Sequence, residues 1–332
     1  MHNNSGKKKA KRHTRLLAAT VMALAVAMAT ALLGCGGQQS ASSSTVTRND
    51  VPVVKIAYLP ITHALPVLEE AEQMAAASNG KYQIQLVKYG TWPELMDAVN
   101  SGQVDGASVL VELGMRAKEQ GIDIRAVALG HRDGNVIVGS NEVASTADLK
   151  GKTIAIPARQ SSHYILVLAA LERAGLSESD VKITEMAPTE MPSALASKQI
   201  DAYCVAEPFG AKAVEVGVGH VLENSEDLWK DSLCCAFVLN GSFIDKNPKL
   251  AKQVVKDYKA AGKALEQTET ALSVGSKYLD QTDDTLNVSL QWIHYDNLDI
   301  TKKTYNDLVK RVKKYGLSKN PPSYDQFVAN LD

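Results

Sequence analysis

The chain of 332 residues balances 36 Lys+Arg against 37 Asp+Glu, a formal net charge of −1, with 45% hydrophobic and 22% charged residues. That balance excludes a strongly basic nucleic-acid binder. Four cysteines without a C-x-x-C pair, and histidines scattered without ligand spacing, indicate no metal site.

Lys7, Lys8, Lys9, Lys11, Arg12 and Arg15 precede an apolar run over 16–33 that ends Leu32-Leu33-Gly34-Cys35. A basic start, an apolar middle and a small residue before the break make residues 1–34 a secretory signal. Gly34-Cys35 resembles a bacterial lipobox, which makes Cys35 the lipidated, mature N-terminus. The alternative is an uncleaved membrane anchor, since the run approaches the ~20-residue spanning length. Either way the remainder faces outward from the cell membrane. All six of these basic residues and no acidic ones precede Cys35, so the mature chain carries 30 basic against 37 acidic residues, a net −7. With Cys35 lipidated, the odd number Cys204, Cys234 and Cys235 remains. These read as small hydrophobes of strands. Residues 36–50 are small and polar and form a flexible tether after the lipidated Cys35. Residues 51–332 exceed the roughly 100–200 residues of one domain and suit two lobes.

Strand and helix signals then alternate. A β-rich run covers 53–59, and Pro60-Ile61-Thr62-His63 leads into a helix over 64–77. Residues 82–88 form the next strand, and Thr91 caps the following helix, with Glu94 three residues on as a capping box. Strands follow at 104–111 and 124–129 around a helix over 112–120, then a turn at 131–135 and a strand at 136–139. This is an α/β pattern with mostly parallel sheets. Thr153-Ile154-Ala155-Ile156 is a buried strand stopped by Pro157. Arg159, Gln160, Ser161, Ser162 and His163 follow, and an apolar helix runs over 164–174. Ser161 or Ser162 either caps this helix only, or also hydrogen-bonds a small anion at its positive end.

The sequence then echoes itself. Ser101-Gly102-Gln103-Val104-Asp105-Gly106-Ala107 returns as Ser197-Lys198-Gln199-Ile200-Asp201-Ala202-Tyr203. Each copy is followed by a short apolar strand and an acid, Glu112 or Glu207, at a helix start. Each is preceded by a strand, a polar loop and a helix. Matching flanks in the same order make two similar α/β lobes. Such lobes gather ligand groups at the carboxyl ends of their strands, in the crevice between them. Thr62, His63, Trp92, Ser108, Arg159, Ser161, Ser162, His163 and Glu207 thus surround one cleft.

Tyr58-Leu59-Pro60-Ile61-Thr62-His63-Ala64-Leu65-Pro66, Val104-Asp105-Gly106-Ala107, Gly134-Asn135 and Asp201-Ala202-Tyr203-Cys204-Val205-Ala206-Glu207-Pro208-Phe209 carry a resemblance. So do Trp229 through Ala236-Phe237 and Lys246-Asn247-Pro248. The chain resembles the solute-binding lipoproteins of bacterial ABC importers in the nitrate, bicarbonate, taurine and aliphatic sulfonate branch, with relatives that bind thiamine pyrimidine precursors. The likeness covers 53 to about 248 and extends more loosely to the end. It implies a periplasmic-binding-protein fold of type II. In nitrate-type members a Trp after the second strand, hydroxyl or amide groups at the helix start of the second lobe, and a Lys just before Ala-Phe hold the anion. Trp92 and Ser161, Ser162 and His163 match the first two. Cys235 stands where the Lys would be, with Cys234 before it.

The missing point charge turns the expectation from nitrate and bicarbonate to an organic anion, an aliphatic sulfonate or taurine-like molecule, with Arg159 as a bidentate partner. Arg159 as a solvated loop residue is the alternative, and nitrate, bicarbonate or a pyrimidine-type ring remain alternative ligands. Trp92 would give a carbon-bearing ligand an apolar wall. Glu207 either accepts a hydrogen bond from a ligand or caps the next helix; His63 is either a ligand contact or part of a cap. A third possibility belongs to a different class. Enzymes of this fold type include desulfinases with a Cys thiolate, for which Cys234 and Cys235 are candidates; the lipobox and tether suit a non-enzymatic receptor.

The closing part is helix-rich, over 249–268 and 302–315, and is assigned to the first lobe. Crossings expected near 139–141 and 240–241 divide the mature chain into a first lobe of 51–140 and 241–332 and a second of 141–240. The expected protein is a monomeric, lipid-anchored receptor without cofactor. It traps its solute by closure about those crossings and delivers it to the transmembrane subunits of an ABC permease.

Overall fold

Two five-stranded sheets organise the chain. The computed structural model describes residues 51–331; the expected signal at 1–34, the lipidation site Cys35 and the tether lie outside the described residues. In order come β1 (Val53–Tyr58), α1 (Leu65–Ala76), β2 (Gln83–Lys88), α2 (Trp92–Asn100), β3 (Gly106–Leu110), α3 (Val111–Glu119) and β4 (Ile124–Leu129). Then follow β5 (Arg132–Asp133), β6 (Asn135–Ser140), β7 (Thr153–Ile156), α4 (Ser162–Arg173), β8 (Lys182–Glu185), α5 (Met191–Ala196), β9 (Ala202–Ala206) and α6 (Phe209–Glu215). The chain continues through β10 (Gly219–Asn224), α7 (Ser225–Leu228), β11 (Cys235–Asn240), α8 (Gly241–Lys246) and α9 (Pro248–Ala264). It closes with α10 (Thr268–Tyr278), α11 (Asp283–Ser289), β12 (Ile293–His294), α12 (Lys302–Lys314) and α13 (Tyr324–Phe327).

The first sheet has the order β2-β1-β3-β11-β4 and the second β10-β6-β9-β7-β8. Read from its parallel edge, each sheet repeats the other. Three strands run parallel, and a fourth runs antiparallel beside the third: β11 next to β3, and β6 next to β9. The echoed aspartates do the same work in both. Asp105 donates its N–H to the Lys55 carbonyl at 2.8 Å and accepts from the Lys55 N–H at 2.9 Å. Asp201 donates to the Thr153 carbonyl at 2.9 Å and accepts from the Thr153 N–H at 2.8 Å. Each carboxylate satisfies a backbone donor at the start of a strand, which the ladder itself leaves unpaired.

The crossings differ from those expected. β6, from Asn135, already belongs to the second sheet, and β11, from Cys235, already belongs to the first. The chain therefore changes sheets over 130–134 and 225–234, before the small residues at 139–141 and 240–241. The reason is hydrogen bonding: β11 fills the slot between β3 and β4, whose facing edges would otherwise be unpaired. Gly139 serves packing instead, since a Cβ there would lie 2.8 Å from Leu222 Cδ1. The closing helices also divide their contacts: α9 packs on α1, whereas α11 packs on α6, whose flanking strands β9 and β10 are in the second sheet. Apolar side chains of both sheets and their helices join in one continuous core. Among the described residues no helix is long and apolar enough to cross a membrane.

Candidate metal centre

The turn after β1 carries Thr62 and His63 against the second sheet. Thr62 donates its backbone N–H and its hydroxyl to the Glu207 carbonyl, at 3.0 and 2.9 Å, while Tyr295 donates its hydroxyl to the Thr62 carbonyl at 2.9 Å. Thr62, His63, Glu112, Ser161, Ser162, His163 and Glu207 are all fully buried. The lobes are closed on one another at this end of the strands.

His63 is oriented from both sides. Its Nε2 lies 3.0 Å from the Gly134 carbonyl, which can only accept, so Nε2 carries the proton and Nδ1 keeps its lone pair. Nδ1 faces Cys235 Sγ at 3.4 Å and Cys234 Sγ at 3.7 Å, and the two sulfurs are 3.8 Å apart. The His131 ring stacks on His63 with centroids 3.3 Å apart, and neither of its nitrogens has a hydrogen-bond partner. One donor atom from each of His63, His131, Cys234 and Cys235 lies within 4.8 Å of the other three. Gly130 permits this approach, because a Cβ there would sit 2.8 Å from the His63 carbonyl oxygen and 3.1 Å from Cys235 Cβ.

Burial governs the charges. It pushes His131 down to about 4, with His63 adding to the effect, and pushes His163 down to about 4. Both imidazoles are thus neutral, metal-binding forms at neutral pH. Against the upward pull of burial, the neighbouring Cys235 thiol is the main influence that holds Cys234 well below the usual thiol range. Burial, and then Cys234, hold Cys235 above it. Glu112 is raised well above the carboxylate range by burial and by Cys234, against a smaller pull from its own and the Ser162 backbone amides, which face the carboxyl without reaching full hydrogen-bond geometry.

Two soft sulfurs and two imidazole nitrogens make a donor set suited to zinc and its neighbours. A tetrahedral zinc with ~2.3 Å sulfur and ~2.05 Å nitrogen bonds has sulfur–sulfur edges of about 3.8 Å and sulfur–nitrogen edges of about 3.6 Å. The three measured separations fall within 0.2 Å of those edges.

The chain matches the NMT1-like family over residues 47–276. The chain belongs to the NMT1-like family. A solved structure from Staphylococcus aureus, described as the ligand-binding component of an ABC-type import system with zinc bound, is 37% identical to this NMT1-like protein. The two superpose with a TM-score of 0.81 over 84% of this chain and 97% of the other. A nitrate/nitrite binding protein of Nostoc sp. is 24% identical over 238 residues, 64% of this chain and 54% of its own. An aliphatic sulfonates-binding protein of Escherichia coli, named as putative, is 27% identical over 201 residues, 59% and 62% of the two chains. The chain spans about a third to three-fifths of the length of the curated relatives it matches. The solved nitrate-binding protein of Synechocystis, 20% identical with a TM-score of 0.73, shares the periplasmic-binding-protein fold.

In this NMT1-like protein the residues singled out from sequence separate into groups. His63 and Cys235 meet in the cluster, and His163 and Ser162 are buried with side-chain polar atoms unpartnered. Trp92 Nε1 and the Ser108 hydroxyl are likewise buried without partners. Ser161 is the helix cap: its oxygen accepts the Tyr164 N–H at 3.2 Å and donates to the Ala158 carbonyl at 2.5 Å. Glu207 ties its own helix, accepting the Ala211 N–H at 3.1 Å. Arg159 is not brought to the buried group; its guanidinium pairs with Glu178 at 2.7 Å, and half its side chain is exposed. Sequence alone makes Cys234 a small strand residue beside Cys235 and a candidate nucleophile, not a ligand; it places His131 only in a turn, and it does not make Asn135, whose Oδ1 lies 3.4 Å from Cys234 Sγ, a site residue. The usable signal was position: all three lie where the chain changes sheets.

Proposed function

We propose that this protein is the extracytoplasmic solute-binding component of an ABC importer and that its solute is a transition-metal ion of the zinc class. The observation that carries the reading is the buried His63, His131, Cys234 and Cys235 set, in which the three edges among His63, Cys234 and Cys235 have tetrahedral lengths. Two thiolates would neutralise a divalent ion, so the closed chamber needs no further charge. The zinc named for the Staphylococcus aureus relative supports the same reading. Lipid on Cys35 anchors the receptor, the tether gives it reach, and it acts as a monomer that hands the ion to the transmembrane subunits of the permease.

The organic anion expected from sequence, a sulfonate or taurine-like molecule, is the second reading. The named sulfonates-binding relative and the free donors Trp92 Nε1, Ser108 Oγ and Ser162 Oγ favour it. Against it, Arg159 is spent on Glu178 and supplies no charge to the buried group. Nitrate and bicarbonate meet the same lack of a cation. A desulfinase-like nucleophile needs a thiolate with access to substrate, whereas Cys235 is held above the usual thiol range and both cysteines are buried.

The test is a titration of the full-length chain, purified in detergent and stripped of metal. Zinc is added against a competing chelator; sulfonates, taurine, nitrate, bicarbonate and a pyrimidine are added in separate runs. One equivalent of tightly held zinc with no response to the others is expected. Binding of an anion or ring without zinc overturns the metal reading, and turnover of a sulfinate that is lost on alkylation overturns the receptor reading.

A further inference from the structure

Resting on the metal reading above, the placement of the donors raises the question of how cargo closes the lobes. His63 follows β1, His131 follows β4 and the cysteine pair opens β11, and all three strands belong to the first sheet. Four donors on one side can hold an ion without engaging the other lobe. A receptor that closes on its cargo needs a differential contact from the second lobe.

One side chain is placed for that contact. His163 stands in the first turn of α4, fully buried, with both ring nitrogens unpartnered. Its position beside the cluster follows from the backbone. Val111 donates its N–H to the Cys234 carbonyl at 2.8 Å, Glu112 follows Val111, and the Glu112 carboxyl faces the Ser162 amide, next to His163. A buried imidazole with no hydrogen bond costs free energy unless something binds it. We infer that His163 is the second lobe's ligand to the cargo ion: the first-sheet donors capture the ion, and His163 closes the receptor over it. Asn135, the first residue of β6 in the second sheet, also touches Cys234, but it directly follows the 130–134 connection, so the chain itself ties it to the first sheet.

The experiment compares wild type with His163→Ala and His163→Gln, as full-length chains in detergent. Zinc affinity is read by chelator competition and lobe closure by hydrogen exchange. The Thr62 amide is the reporter, because its partner is the Glu207 carbonyl across the cleft. Zinc should slow exchange around Thr62 in wild type by about tenfold or more. Both variants should still bind one zinc within about tenfold of wild-type affinity but leave Thr62 exchange at its metal-free rate. Metal-free unfolding curves show that each variant is folded, and the polar His163→Gln keeps the test open if His163→Ala is not. Zinc-dependent protection of Thr62 in a folded variant overturns the inference while leaving the metal reading intact. Loss of all zinc binding in the variants also overturns it, since capture would then need His163. Failure of wild type to bind zinc removes both.

Discussion

Nδ1 of His63 faces Sγ of Cys235 across 3.4 Å, while Nε2 of the same ring is held at 3.0 Å by the Gly134 carbonyl. The backbone acceptor fixes the tautomer, so the nitrogen turned to the sulfur is the one with a free lone pair. A fixed ring costs less ordering when an ion arrives.

Cys234→Ser and Cys235→Ser should each weaken zinc binding by about 100-fold or more, since a hydroxyl does not ionise at neutral pH and is a poor ligand for a soft ion. Competition with a chelator of known affinity checks this. Zinc affinity within about threefold of wild type in both variants would remove the cysteines from the centre.

Metal removal should lower the melting temperature. At a free zinc concentration of about 100 Kd, binding adds roughly 2.7 kcal/mol to the folded state, and with an unfolding entropy of about 2.1 cal/mol/K per residue over the folded part of the chain the shift is roughly 4–5 °C. Calorimetry with zinc and with excess chelator measures it.

Glu207→Gln should change how stability depends on pH. Burial raises the Glu207 carboxyl to about 8 from an ordinary value of 4.5. Between those values the folded chain keeps a proton that the unfolded chain has released. Its contribution is therefore full below about 4.5 and is lost as pH rises towards 8, by up to about 1.4 kcal/mol per unit. A Gln can still accept the Ala211 N–H and does not titrate, so the variant should gain on wild type from pH 5 to pH 8. Parallel melting curves over that range would contradict the assignment.

Gly130→Ala should destabilise the chain by about 1–3 kcal/mol, because its methyl would press on the His63 carbonyl and Cys235 Cβ. Zinc affinity should fall with it, as the two donors are pushed apart. Denaturant unfolding and chelator competition on one preparation test both.

Arg159→Ala should leave binding of zinc unchanged and cost at most about 1 kcal/mol, since the Arg159–Glu178 pair is about half exposed. A large loss of binding for any identified solute would restore Arg159 to the cleft.

Local chemistry was legible from the residues alone. Thr91 caps α2 through the Glu94 amide, Ser161 caps α4 through the Tyr164 amide, and β7 occupies the Thr153–Ile156 run. These depend on neighbours within a few positions. The Asp105 and Asp201 echo was legible as two lobes, because a repeated unit must solve the same edge problem twice. The crossings were misplaced for the opposite reason. Small residues at 139–141 and 240–241 mark places where the backbone can turn, but unpaired strand edges between β3 and β4 decide where it must enter a sheet.

By itself, then, the sequence determined the alternation of strands and helices, the duplication into two lobes and the capped helix starts, since propensity, pattern and short-range hydrogen bonds act along the chain. Only the tertiary structure decided the site. His63, His131 and the Cys234-Cys235 pair are separated by 68 and 103 residues of chain, with no motif spacing between them. They meet because β1, β4 and β11 end together in one sheet and because Gly130 lets their backbones approach. The same packing turned Arg159 outward to Glu178. A donor set drawn from three strands is a property of sheet order, which long-range hydrogen bonding and burial select.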